Sequence, residues 1–348
     1  MKKVLFSVCA LAALLTGCAK SDVVDAPNFE TPITFEAYSG KVPVSKATSI
    51  DDGADLSDEG GFVVYAFNTT TTDNENYTPD WESLYFTETL ALDDDAWKYV
   101  NSTEKYYWPS DGNALAFVAY SNNGVSAYVA PADGNAPSLT VTVQNAVADQ
   151  KDVMVASFHQ TKSDGDAVSL TFNHVLSRVH FQLTADRAIT ISSVKVNGAF
   201  YSTGTVDLTA ATPSVATDAS DVESYEFLTA PFGLTPDQDE NGNDESTTVD
   251  IDNTADVDDD HYMMLIPGKP SSVVIEYSFD DDNTNSVYLA TADLSGESFT
   301  FEKGTSYRFD LVLASQEITF NATVIGWGED TEWGNSEALK FVVTKKNN

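Results

Sequence analysis

Cysteine is nearly absent: 348 residues hold only Cys9 and Cys18, both close to the start. The body of the chain therefore has no disulfide framework and no thiolate metal site, and its stability has to come from buried apolar surface. Basic side chains are also scarce, 18 Lys and Arg against 54 Asp and Glu, for a net charge of −36. Nucleic-acid affinity runs on Lys and Arg contacts to phosphate, so DNA and RNA are excluded as partners, and attraction to an anionic lipid surface is disfavoured. Beyond residue 15 no apolar run approaches the ~18 residues of a membrane-spanning helix. Also missing are G-x-S-x-G, a Walker loop, H-E-x-x-H and C-x-x-C, which build nucleophile elbows, phosphate cradles, and metal or redox sites. Even so, 42% hydrophobic and 11% aromatic residues make a globular chain. Its length suffices for two domains of ~150 residues.

What is present begins with an export signal. Lys2 and Lys3 precede the apolar stretch Val4 to Leu15, which ends in Leu15-Thr16-Gly17-Cys18. That ending has the form of a bacterial lipobox, in which the cysteine is acylated and becomes the new N-terminus. Residues 1–17 are expected to be a lipoprotein signal peptide, Cys18 the lipidation site, and the polar residues 18–31 a tether.

The rest of the chain is written in period two. Val273, Ile275, Tyr277 and Phe279 share one face, and the same alternation recurs at Leu139-Val141-Val143, Val179-Phe181-Leu183, Tyr307-Phe309-Leu311-Leu313 and Ile318-Phe320-Ala322-Val324. Gly, Asn, Asp and Pro punctuate the gaps, and helical patterns are few, which predicts an all-β sandwich architecture. The polar turn Ser163-Asp164-Gly165-Asp166 suggests a division into residues 32–165 and 166–348. From Val196 to Gly268 there is no Lys or Arg, and Asp237 to Asp260 is dense in carboxylates, as suits a long solvated loop.

Candidates for chemistry are thin. His174 and His180 lack a Cys partner and H-x-H spacing, and read as hydrogen-bonded strand residues rather than metal ligands. Paired carboxylates such as Asp281 and Asp282 could serve acid–base work on glycans, but in so acidic a chain abundance alone supplies such pairs. Asp237-Gln238-Asp239-Glu240-Asn241-Gly242 fits the first half of a calcium loop, yet Thr248 stands where the bidentate Glu belongs, so an acidic turn is the better reading. No catalytic residue, metal or cofactor is expected. Trp81, Trp97 and Trp333 offer stacking platforms, and they support an alternative reading as a monomeric glycan-binding surface lipoprotein.

Two segments at opposite ends match each other. Ile33-Thr34-Phe35-Glu36-Ala37 and Ile318-Thr319-Phe320-Asn321-Ala322 agree at four of five positions, both with Ile, Phe and Ala on one face. A strand groove selects alternate side chains, so two such segments can fill the same groove.

The ordered set of elements resembles a family. The lipobox is followed by the I-T-F strand, Lys46, Lys105-Tyr106-Tyr107-Trp108-Pro109, Phe117-Val118-Ala119-Tyr120 and Asp152-Val153-Met154-Val155-Ala156. Then come Leu170 to Val179, Tyr262-Met263-Met264-Leu265-Ile266-Pro267, Gly304-Thr305-Ser306-Tyr307 and Val324-Ile325-Gly326-Trp327. Together these are similar to the fimbrillins of Bacteroidales, which build type V pili. The resemblance implies two transthyretin-like β-sandwich domains, export as an outer-membrane lipoprotein, and surface assembly into a pilus with neighbouring subunits. It also implies cleavage by a surface protease specific for Arg or Lys, here at Lys46-Ala47. That cut would let the strand of Ile33, Phe35 and Ala37 be displaced. The segment carrying Ile318, Phe320, Ala322 and Val324 would serve as the donor that fills the neighbour's groove. Lys rather than Arg at the cut departs from the family pattern. An adhesion target, a surface glycan or protein, would be a further partner.

Overall fold

The computed structural model describes residues 31–39, 56, 60–70, 77–94, 96–101, 105–124, 126–165, 167–210, 212–251, 262–280, 286–295, 299–313, 318–326, 339–341 and 343–347. Among them the chain is almost entirely β, as the alternation predicts, and no helix is long and apolar enough to cross a membrane.

The first half supplies β1 (Thr34–Ser39), β2 (Phe62–Thr69), β3 (Pro79–Asp93), β4 (Ala96–Tyr99) and β5 (Leu115–Ser121). It continues with β6 (Ser126–Val129), β7 (Ser138–Thr142), β8 (Met154–Gln160) and β9 (Ala167–His174). Seven of these close into a barrel in the order β1-β4-β3-β2-β5-β8-β9. Alternation decides what each side chain meets. Phe62, Val64 and Ala66 of β2, Phe117 and Ala119 of β5, and Leu170 and Phe172 of β9 fill the inside. Phe67, Val118 and Val155 point the other way and join a second core shared with the C-terminal half. At the entry to β2, Gly61 has φ +76° and a side chain there would strike the Leu90 carbonyl oxygen at 1.8 Å, so only glycine fits.

The second half supplies β10 (Ser177–Ala185), β11 (Ile189–Phe200), β12 (Thr203–Asp207), β13 (Val215–Ala216), β14 (Val222–Glu226), β15 (Phe232–Leu234) and β16 (Thr247–Asp250). It ends with β17 (Met263–Leu265), β18 (Lys269–Phe279), β19 (Tyr288–Asp293), β20 (Thr305–Leu313), β21 (Ile318–Gly326), β22 (Leu339–Phe341) and β23 (Val343–Asn347). One sheet runs β16-β10-β20-β21-β22, with β17 also on β10, and another runs β14-β11-β18-β19-β23, with β15 also on β11. Their apolar faces share one core, in which Phe181, Phe309 and Phe320 come from the first sheet and Val194, Ile275 and Tyr277 from the second.

Two features cross the division expected at residues 165 and 166. Strand β9 lies beyond it, yet completes the barrel by pairing with β8 and β1. A small sheet ordered β13-β12-β7-β6 joins a hairpin from each half, with Thr203 to Asp207 running antiparallel to Thr142 to Ser138. The polar turn itself forms as expected: Thr161 and Asp164 make a capping box around the short 3-10 turn Lys162–Asp164.

Candidate functional site: the slot occupied by the first strand

Strand β1 fills a slot in the barrel wall. Along one edge it runs parallel to β9, from Thr34 opposite Ala167 to Ser39 opposite Phe172. Along the other edge it touches β4 at a single pair, Phe35 with Trp97. The residues just before it are held by the stretch following β4. The Ile33 amide donates to the Tyr106 carbonyl at 2.8 Å, and the Trp108 amide donates to the Thr31 carbonyl at 3.2 Å. The Tyr99 hydroxyl donates to the Ile33 carbonyl at 2.9 Å. Burial, followed by the neighbouring Tyr106 and Glu88, raises the Tyr99 phenol above its ordinary pKa, so that it stays a donor.

The predicted face pattern is present. Ile33 and Phe35 are buried, Ala37 is half-buried, and Thr34, Glu36 and Tyr38 are exposed. Phe35 meets three rings edge-on, Phe62 at 6.2 Å, Tyr99 at 6.2 Å and Phe117 at 5.8 Å between centroids. Val168, Leu170 and Trp108 complete this core. On the outer side Glu36 accepts from the Tyr38 hydroxyl at 2.8 Å, which raises the Tyr38 phenol above its ordinary pKa. Burying Ile33 and Phe35 contributes roughly 1.5–3 kcal/mol each, and each net ladder bond about 1 kcal/mol. Chemically the slot can hold an extended segment with apolar side chains at alternate positions.

The matching segment sits differently. Strand β21 pairs with β20 along its whole length, from Ile318 opposite Leu313 to Gly326 opposite Thr305. On its other edge Phe320, Asn321 and Ala322 pair with Phe341, Lys340 and Leu339 of β22. Phe320 and Ala322 are buried, Phe320 stacks on Phe309 at 5.1 Å, and Val324 is half-buried. As found here, it is an interior strand of its own sheet. Strands β22 and β23 instead lie at sheet edges, and β23 pairs with β19 alone.

Cys18, Lys46, Ala47, Asp281, Asp282 and Trp333 lie outside the described residues. Trp97 is half-buried against Phe62 at 4.9 Å, and Trp81 is half-buried edge-on to Phe67 at 5.2 Å, so both pack as well as face outward. His174 binds the buried Asp152 carboxylate at 2.7 Å. His180 is buried, and desolvation, then Arg178 and Arg308, push its pKa down to about 3. The start of the acidic excursion is a hairpin tip, with Gln238 bridged to Asp244. The Asp239 carboxylate accepts from the Asn241 and Asn243 amides and from Asn243 Nδ2, which hold its pKa down to about 2. Thr248 lies in β16, opposite Thr184 of β10. Among the described residues no group of three or more His, Cys, Asp or Glu could hold a metal ion.

Sequence reasoning located β1 and its buried face but missed its partners, the parallel β9 and the Tyr106 to Trp108 stretch. The cluster Lys105-Tyr106-Tyr107-Trp108-Pro109 was the available signal, since so many adjacent aromatics in a polar surrounding need a core to lean on.

The sequence profile of the fimbrillin-like family matches residues 46–327. No curated protein matches the chain. Among solved structures it is similar to a fimbrial protein from Bacteroides vulgatus, at 18% identity over 85% of this chain and 99% of that one, with a TM-score of 0.55. It is also similar to a candidate cell adhesion protein from Bacteroides uniformis, at 16% identity over 85% of this chain and 98% of that one, with a TM-score of 0.48.

Proposed function

Since this chain belongs to the fimbrillin-like family, we propose that it is a subunit of a surface pilus, assembled by exchange of its first strand and without catalytic function. The observation that carries the proposal is the slot: β1 closes the barrel through one parallel ladder to β9 and a single pair with β4, and the buried Ile33 and Phe35 fill the barrel interior. A cut between Lys46 and Ala47 falls between β1 and β2 in the chain and leaves β1 held by non-covalent contacts alone. The family match itself begins at Lys46, after β1. Before the cut, lipid on Cys18 holds the precursor at the outer membrane. After it, a strand from a neighbouring subunit replaces β1, and head-to-tail insertion of this kind does not close on itself, so it yields a filament.

Two segments compete as the donor. Releasing Ile318 to Val324 breaks ladders on both edges of β21, whereas the tail from 339 to 347 gives up edge pairings. Leu339, Phe341 and Val343 also repeat the alternate apolar spacing of Ile33, Phe35 and Ala37. The tail is therefore the cheaper donor, and we assign the exchange to it in preference to β21. The test compares the chain from residue 19, the chain from residue 47, and the latter ending at residue 338, by light scattering and electron microscopy. Filaments are expected from the 47–348 form alone, and the N-termini read by mass spectrometry should be acylated Cys18 in the precursor and Ala47 in surface filaments. Filaments from 47–338 would move the donor role back to β21. A 47–348 form that stays monomeric under all conditions would sink the exchange.

A further inference from the structure

The outer face of the barrel carries a recess that strand exchange does not use. Its volume is about 390 Å³, inside the ~300–1,000 Å³ range of small-molecule sites. Register builds its floor: Ala116 pairs with His159 and Val118 with Ser157, so these four share the face of β5 and β8 that points away from the barrel interior. Thr171 and Asn173 extend that face on β9, and both are exposed. One wall is aromatic. Tyr77 stacks on His159 at 3.7 Å with the planes 19° apart, and Trp81 stands beside them, steadied edge-on by Phe67. The opposite wall comes from the C-terminal half, from Thr209, Ala210 and Pro213. Thr209 and Pro213 are each pinned. The Asp207 carboxylate accepts from the Thr209 amide at 2.8 Å and from its hydroxyl at 2.7 Å, and the Lys303 ammonium donates to the Pro213 carbonyl.

The chemistry of the walls selects the ligand. Among the described residues no Asp, Glu, Lys or Arg lines the recess, in a chain where 21% of residues are charged. Of the described lining groups that can carry a positive charge, an anionic ligand meets only the His159 imidazole, stacked on Tyr77, within the field of a strongly acidic protein. For a cationic ligand, the neighbouring Asp207 carboxylate is engaged by Thr209. A wholly apolar ligand would strip water from the Ser157 and Thr209 hydroxyls and the Asn173 amide without replacing its hydrogen bonds. What remains is a neutral molecule with one apolar face and a rim of hydroxyls. A pyranose is such a molecule: its polarised C–H face lies against the negative face of an aromatic ring. Its hydroxyls match the Ser157 hydroxyl and Asn173 amide, which both donate and accept, and the Thr209 hydroxyl, which accepts because its proton goes to Asp207. We propose that this recess, between Tyr77, Trp81 and His159 on one side and Thr209 on the other, binds a neutral sugar residue. The site stands on the uncut monomer and does not depend on the pilus reading.

The experiment titrates the chain from residue 19 with methyl β-glucoside, methyl β-galactoside, methyl α-mannoside and galacturonate, using saturation-transfer NMR and calorimetry. At least one methyl glycoside should saturate, and galacturonate should not bind. Tyr77→Ala should weaken binding at least tenfold and Asn173→Ala about fivefold, with unchanged thermal midpoints. Ser157→Trp, placed at an exposed strand position, should fill the recess and abolish binding even if Tyr77→Ala does not fold. The 47–348 form should bind as well as the longer chain. The proposal is overturned if no methyl glycoside binds, if galacturonate binds equally well, or if Ser157→Trp leaves binding intact.

Discussion

Strands β1 and β21 carry nearly the same five residues and live in opposite surroundings. Each buries its Phe, but Phe35 meets rings edge-on in a slot flanked by a parallel ladder and one antiparallel pair. Phe320 stacks on Phe309 inside a sheet that pairs it on both edges. Alternating apolar residues therefore specify which face of a strand is buried, and say nothing of how hard that strand is to remove. Removability depends on the neighbours and on whether the chain leading away can be severed.

The contrast is most sharply tested by placing a charge on each strand. Phe320→Asp leaves an unpaired carboxylate in the C-terminal core, at a cost of about 3–5 kcal/mol, and is expected to unfold that half. Under the proposed exchange Phe35→Asp has an escape, because β1 would leave its slot and take the charge into water. Its far-UV spectrum and C-terminal hydrogen-exchange protection should stay close to native, with protection lost along β9. Equal global unfolding by both would erase the distinction.

The two strands should also answer pH in opposite directions. His180, on β10 and facing Arg308 across the ladder to β20, has its pKa lowered to about 3 from 6.5. A lowered pKa contributes stability that is complete above pH 6.5 and lost as the pH falls through the range down to about 3. Tyr99, which holds β1, has its pKa raised above 10, so its contribution is complete below pH 10 and lost above. Hydrogen exchange at pH 7.5 and 4.5 should show acid loosening of the sheet that contains β21, flattened in His180→Gln. Exchange of β1 should accelerate only on the alkaline side. Acid loosening of β1 ahead of β21 would break the comparison.

The smallest effect isolates one bond. Tyr99→Phe removes the donor to the Ile33 carbonyl and keeps the ring against Phe35, at a cost of about 1 kcal/mol. Urea midpoints should register this loss in the chain from residue 19 and no loss in the chain from residue 47. A loss in both would mean that Tyr99 supports the barrel itself rather than β1.

Much of this architecture was legible in the chain. The alternating runs at Val179, Val273, Tyr307 and Ile318 fall within observed strands, the run at Leu139 does so up to Val143, which follows the end of β7, and Ile33 and Phe35 are buried on the predicted face. Period two reports a face and contains no information about partner or register, because each strand edge offers the same amide and carbonyl groups. That is why the parallel pairing of β1 with β9 was not readable. The passage of β9 into the barrel past the turn at Ser163 to Asp166 was hidden for the same reason. The recess was beyond reach on other grounds: Tyr77, His159, Asn173 and Thr209 are distant in sequence and meet only because β8, β9 and the residues after β12 converge.

The small sheet of β13, β12, β7 and β6 has a mechanical consequence. It stitches the two halves together by a ladder from Thr142 with Thr203 to Ser138 with Asp207, above a shared apolar core. If subunits are strung end to end as proposed, tension entering one half is carried to the other through hydrogen bonds and packed side chains loaded together. The halves then stretch as one stiff unit, and compliance concentrates in the joints between subunits. A filament built this way bends and yields at its couplings while each link keeps its shape, so a recess formed from both halves would hold its geometry under load.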